Sequence, residues 1–460
     1  MRRFSLALIS GLLTLALFGC SGASSNSNSN DSNPSPMFIT GEDAPVSSVV
    51  AFNITIDKIT LNNQTSTVTA LDTPTAVDFG RLVGLRSLLG FNMVTPGVYT
   101  SATVTFEASS PAPTVNYVDL TTTPPSLGMA TGVLSTSTVT VSFPAGKPLT
   151  VSGNGLAGLH MDFDLHDSLA IDNNGQLIIN NGQINITPKL DVMAVSASDE
   201  LGQITYFLGN VVSVGSDSFV MQGPYGFQEV IDVNSNTQFN GSNSLSSLTP
   251  NAIVCIEGTV QADGSILASS VELITTDKAF ISGRILAISS GPVVTMFVGE
   301  ELGTSATIPV DSVYTVDLSQ VSRYDICFID NWFTNELFGP TSLVVGQRIF
   351  VGGTYQSSVF TPDMVSLRRQ GVVGSLVQGS VNITSGNIGS FAMQNDALMS
   401  YSAGGPFTVY TVNQTQFVNI DGLSGLQAAG AANLVARGLV FYDPTTQKPV
   451  VWSHVVRVLP

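Results

Sequence analysis

Positive charge is scarce in this chain. Its 460 residues hold 16 lysines and arginines against 33 aspartates and glutamates, a formal net charge of −17. A polymer this acidic repels a phosphate backbone, which argues against nucleic acid as a partner. Charge of either sign is thin, at 11% of residues where an ordinary soluble domain carries roughly 25%. With 43% hydrophobic residues and a mean hydropathy of +0.31, the chain is built for packed cores and not for disorder. Histidine is limited to His160, His166 and His454, and cysteine to Cys20, Cys255 and Cys327. Few bases or thiols are therefore on hand for Ser-His-Asp or Cys-His catalysis. No glycine-rich phosphate loop, Gly-x-Ser-x-Gly elbow or His-Glu-x-x-His helix occurs. The expectation is a protein that is not an enzyme, has no catalytic residues and needs no cofactor. Beyond the N-terminus, no run of about 18 unbroken apolar residues offers a membrane helix.

What is present begins with an address. Arg2 and Arg3 precede an apolar stretch from Leu6 to Phe18, too short to cross a hydrocarbon core of roughly 30 Å, so residues 1–19 read as a signal peptide. Leu17-Phe18-Gly19-Cys20 resembles the lipobox of bacterial lipoproteins. That resemblance implies Cys20 as the first mature residue and the site of lipidation, with acyl chains holding the protein to a membrane. Ser21, where an Asp would retain a lipoprotein at the inner membrane, implies the outer membrane. A plain secretory signal with a coincidental cysteine is the alternative. Residues 20–36 are almost all Ser, Asn, Gly, Asp and Pro, a composition that stays flexible and acts as a tether.

From Met37 onward the dominant period is two. Val139-Thr140-Val141-Ser142-Phe143 alternates strictly and Phe52 to Ile59 nearly so, which places one strand face on a core and the other in water. Arg81 to Leu89 and Leu423 to Val435 are the best short helical candidates. The expected fold is all-β: a β-sandwich over 37–195, then small barrel modules over 202–275, 278–370 and 371–460. The barrel reading rests on a pattern that recurs three times. Gly209-Asn210-Val211-Val212, Gly283-Arg284-Ile285-Leu286 and Gly379-Ser380-Val381-Asn382 open the copies. Glycine-bearing strands follow further on, around Gly258, Gly352-Gly353 and Gly438. Units of this size with five or six short strands close into barrels to remove exposed edges. They are longer than solenoid repeats, which suggests beads on a string.

The first unit resembles domain of unknown function 4382, through Ile39-Thr40-Gly41-Glu42-Asp43-Ala44-Pro45, Val77-Asp78-Phe79, Pro96-Gly97-Val98-Tyr99-Thr100 and Met161-Asp162-Phe163-Asp164-Leu165. Gly41-Glu42 ahead of Asp43 departs from that family's usual run into Asp-Ala-Pro. The three later copies resemble domain of unknown function 5666, with the first copy clearest and the second carrying an insertion. The resemblance implies OB-like modules in an exported β-rich lipoprotein and transfers no catalytic residue.

The best polar constellation is His160-Met161-Asp162-Phe163-Asp164-Leu165-His166-Asp167. On a strand, His160, Asp162, Asp164 and His166 share one face, and imidazole with carboxylate suits zinc or another divalent ion. Residues i and i+2 lie about 7 Å apart, so a neighbouring strand would have to complete the site. A solvated strand face explains the same pattern. Tyr324 to Phe338, with Trp332, forms an aromatic-rich insertion suited to docking carbohydrate or protein, or to capping its own barrel. Asp172-Asn173-Asn174-Gly175 and Asn180-Asn181-Gly182 lack an EF-hand's ligand spacing and read as hairpin turns. Cys255 and Cys327 sit in separate apolar runs, as two buried thiols or one bridge. The functional expectation is a lipid-anchored cell-envelope protein presenting binding or adhesive modules to an envelope protein or polysaccharide. A structural part of an envelope assembly and a metal-dependent hydrolase using His160, Asp162 and His166 are the alternatives.

Overall fold

The structure is a computed structural model that describes residues 33–459, except 45, 47, 120–121, 123–125, 154, 173–175, 224–226, 241–242, 276–277, 304–307, 328–337, 358 and 396–405. The signal segment, Cys20, the tether before residue 33, Asn173-Asn174-Gly175 and Trp332 with most of its insertion lie outside the described residues.

The chain is nearly all β. Two large sheets and a two-stranded ribbon, Gly97–Tyr99 with Leu149–Val151, make the N-terminal unit. One large sheet runs Leu190–Val195, Ala157–Asp164, Ser35–Ala44, Ser87–Val94. The other is nine-stranded and built on the long strand Val49–Asn62. Alternation does what the sequence requires of it: Ala102, Val104 and Phe106 of Ser101–Phe106 all turn inward, while the residues between them are half-buried. Phe163 is the hub of this core, with the rings of Phe52, Phe79 and Phe106 centred 5.1, 5.1 and 5.8 Å away. Asn181 and Gly182, at φ 52° and 74°, turn the hairpin between Ile179–Asn180 and Gln183–Ile186 as expected.

Three units of like order follow. In the first, Gln228–Asp232, Ser218–Gln222, Ile204–Val214, Ile253–Val260 and Ile266–Thr275 pair in that sequence. The ring closes by a parallel pairing of the two ends, Ile231 opposite Ile266. The third unit closes in the same way, Phe407–Thr411 lying parallel to Lys448–Val458. The second unit repeats the order from Ser312–Asp317 to Val359–Leu367. In each, a short strand lies parallel to the last one: Gln238–Phe239, Arg323–Ile326 and Gln416–Val418.

Glycine marks the equivalent positions. A Cβ on Gly209 would collide with the carbonyl oxygen of Gln222, one on Gly283 with that of Phe297, and one on Gly374 with that of Gln394. The third copy therefore opens at Gly374-Ser375-Leu376, not at Gly379. Gly379 lies in a turn at φ 73°, a left-handed conformation that also selects glycine but for a different reason. The helical expectation needs similar correction. Phe79–Arg81 is a single 3-10 turn, Gly84 at φ 63° breaks the run, and Ser87–Val94 is a strand. A helix does form over Gly422–Ala429, but it stops at Gly430, φ 70°, and Asn433–Asp443 is a strand.

The units are not beads on a string. Phe38, on the face of its strand opposite Met37 and Ile39, packs into the core of the first unit beside Ile204 and Val254. Leu85, Tyr206, Leu208, Phe280 and Phe350 form a core shared by three units. Val50 and Ala51 meet Leu286 and Phe297, while Leu367 meets Leu439 and Phe441. The reason is that several strands are apolar on both faces. Ala279 through Leu286 are buried without interruption, so one face fills its own unit and the other must be covered by a neighbour.

Candidate functional site

Nine arginines lie among the described residues, and Arg86, Arg284, Arg348, Arg368, Arg369, Arg437 and Arg457 are buried. Arg284 apart, their partners are buried or nearly buried glutamates, and most of the pairs join different units. Glu42, the residue that departs from the Asp-Ala-Pro pattern, receives Arg457 Nη2 at 2.7 Å on Oε1 and Arg86 Nη1 at 3.3 Å on Oε2. Burial alone would raise its carboxyl, yet Arg457 and Arg86 overrule burial and hold it at about 2. Arg86 also reaches Glu200 at 2.7 Å. Glu300 receives Arg81 at 2.7 Å, the Tyr206 hydroxyl at 2.7 Å and Arg348 at 3.4 Å. Arg348 in turn lies 4.4 Å over the Tyr206 ring. Glu272 pairs with Arg368, and Glu257 with Arg369 at 2.7 Å.

Beside the Glu42 cluster lies the best candidate site, a cleft of about 460 Å³ between the sandwich and the third unit. Val141, Val192, Met193, Val418 and Leu459 form apolar walls, and His160, Asp162, Asp191, Lys147 and Arg457 supply polarity. Asp162 stands opposite Asp191 on the adjacent antiparallel strand. Its Oδ1 is shielded from solvent and has no hydrogen-bond partner. Burial, reinforced by the Glu42 charge, pushes its carboxyl up to about 7. Burial has the opposite effect on His160, whose pKa falls to about 3, so its imidazole is neutral. His160 Nδ1 lies 3.1 Å from Thr40 Oγ1. Arg457 is committed to Glu42, so the group here that changes charge near neutrality is Asp162.

The structure does not bring the expected metal quartet together. His160 and Asp162 face the cleft, but Asp164 caps the turn Leu165–Ser168, its Oδ1 accepting the Asp167 backbone N–H at 2.9 Å. That cap takes the chain out of the strand, and His166 lands in the turn, exposed, with Nδ1 3.0 Å from Asp167 Oδ1. Among the described residues, the ligand atoms that do converge belong to Asp164, His166 and Asp167, a largely exposed group. Cys255 and Cys327 are both buried thiols. They flank one carboxylate: Cys255 is the cross-strand neighbour of Glu272, and Cys327 Sγ is 3.9 Å from its Oε2. His454 is half-buried, and desolvation together with Arg369 and Arg437 lowers its pKa far below the usual range.

Sequence reasoning found His160 and Asp162 but missed Arg86, Glu200, Arg437 and Arg457. A signal was there. In a chain so poor in charge, an arginine inside an apolar strand, as in Val456-Arg457-Val458 or Ala436-Arg437-Gly438, implies a buried partner.

Comparison with known proteins agrees with the two resemblances. Residues 39–181 match the family described as Domain of unknown function (DUF4382), and residues 209–272 match Domain of unknown function (DUF5666). The second match covers the first of the three like units. No curated protein matches the chain. Among solved structures, Drosophila Unr CSD456 is 11% identical, covering 56% of this chain and 98% of its own, at a TM-score of 0.14. A multidomain protein with nucleic acid binding domains from Streptococcus pneumoniae is 9% identical, covering 56% and 73%, at 0.12. Scores that low carry no argument about fold or ligand.

Proposed function

We propose that this chain is a lipid-anchored cell-envelope binding protein that holds a saccharide, free or at the end of a polysaccharide, between its sandwich and its third unit. In this reading Cys20 is acylated, the Ser/Asn-rich tether spaces the folded body from the outer membrane, and the cleft faces outward for capture. The observation that carries it is the shielded, unpartnered Oδ1 of Asp162 within a cleft of about 460 Å³. An unpaired buried acceptor is costly. Asp162 as a residue is only half-buried, so its carboxyl is open to the cleft and a ligand hydroxyl donating to it offsets part of that cost. The apolar walls suit the C–H faces of a sugar ring, and Asp191 adds a second acceptor at the mouth. Binding to envelope polysaccharide fractions tests the proposal. The full chain should be retained, and Asp162→Ala should weaken retention by about tenfold, the worth of one hydrogen bond to a charged group. Equal retention of both would overturn it. The anchor has its own readout: mass spectrometry should find a diacylglyceryl group on Cys20, and Cys20→Ser should leave the protein in the soluble fraction.

A further inference from the structure

A second cleft, of about 270 Å³, opens where the sandwich, the first unit and the second unit converge. It is separate from the Asp162 cleft and shares no residue with it. One wall is the edge strand Ser87–Val94, through Leu88, Leu89 and Phe91. Leu71 continues that wall, and Phe207 and Phe227 face it from the first unit. The polar groups on its lining fall into two sets. At the base, Arg81 Nη1 and the Tyr206 hydroxyl both donate to Glu300, so the Glu300 carboxylate is already engaged within the protein. Glu229 and Asp72 are the other charged groups of the lining. Glu229 is half-buried, and its carboxylate has neither an ion pair nor a hydrogen bond among the described residues.

From this we infer that the cleft binds a small amphipathic amine, its apolar body against Leu88, Phe91 and Phe207 and its ammonium on Glu229. The size of the space limits the occupant to a small molecule, since drug-sized pockets start at about 300 Å³. The sign of its charge follows from the lining, where unpaired charge is acidic, and from the net −17 of the whole chain. A carboxylate beside apolar surface is poorly hydrated, so an ammonium placed there gains more than it would in water. An anionic or neutral amphiphile gains only the apolar contact. The inference goes beyond the saccharide reading and does not depend on it.

Burial raises the Glu229 carboxyl to about 7, which gives the test a pH axis. The charged and titratable groups lining the cleft with it are Asp72, Arg81, Tyr206 and Glu300. Isothermal titration of the detergent-solubilised full chain should compare phenylbutylamine with phenylbutanol, its neutral counterpart. At about pH 8.5 Glu229 is ionised and the amine still protonated, so the amine should bind roughly tenfold more tightly than the alcohol. At about pH 5.5 that preference should shrink to less than about twofold as Glu229 takes up its proton. Glu229→Gln should remove the preference at both pH values while the alcohol binds as before. Thr73→Trp, at an exposed position on the cleft, should block both probes and leave the core untouched. Equal affinity for the two probes at the higher pH, an amine preference that survives Glu229→Gln, or no binding of either at millimolar concentration would each overturn the inference.

Discussion

With Oδ1 shielded and unpartnered, Asp162 ionises at a cost in the folded chain that it does not meet when unfolded. Its carboxyl titrates at about 7 in the fold against an ordinary value of 3.8. The folded state therefore binds the proton more tightly, and linkage fixes the sign: the penalty is absent below the unfolded value, grows as pH rises through the window between the two, and is complete above the folded one. Asp162→Asn mimics the protonated acid. It should leave the melting temperature unchanged at about pH 4 and raise it at about pH 8. Differential scanning calorimetry at the two pH values checks this, and an equal shift at both would refute it. The alternation through His160-Met161-Asp162 makes these residues visible in the sequence. Their role is not visible there, because the groups that shape it, Glu42, Arg457 and Asp191, come from other strands and another unit.

Strands and their turns are the most legible elements, since a period of two needs only local residues to be read. The misreadings share a cause. Arg81 to Leu89 reads as helical because apolar residues cluster there, yet Leu82, Leu85 and Leu89 are spread over a turn, a junction core and a strand. Gly-x-Val spacing points to Gly379 as an opening glycine, whereas the constraint is a carbonyl from the next strand, which spacing does not reveal. Substitution separates the two glycines. Gly379→Ala meets no atom and bears only the strain of its positive φ, about 1 kcal/mol. Gly374→Ala drives a methyl into the backbone of Gln394, so part of the barrel must shift and the cost should be about 3 kcal/mol. Urea unfolding of the two variants should rank them in that order, and the reverse order would return Gly379 to the opening position.

At the scale of the whole chain local pattern misleads, and the physical reason bears on stability. An interface between units is made of the same apolar residues that make a core, so Phe280 or Phe350 does not announce which body it will touch. Charge does, once located. Glu42 lies in the sandwich, while Arg457 lies in the last strand of the chain, and the pair is buried between them. Because the fold holds the Glu42 carboxyl at about 2 against an ordinary value of 4.5, its ionisation stabilises the closed arrangement above the unfolded value, and that contribution is lost as pH falls through the folded one. Removing the carboxylate leaves Arg86 and Arg457 buried without it, which costs roughly 3–5 kcal/mol and falls on the junction and not on either core. Calorimetry of the full chain at neutral pH should therefore show one dominant transition, because no unit can melt without exposing its neighbours' apolar faces. Glu42→Ala should separate the third unit as an earlier, smaller transition, while Arg323→Ala, at an exposed ion pair, should change the profile by less than about 1 kcal/mol. Three or four independent transitions in the unaltered chain would mean that the junctions are weaker than their burial implies, and that the units behave as separate beads after all.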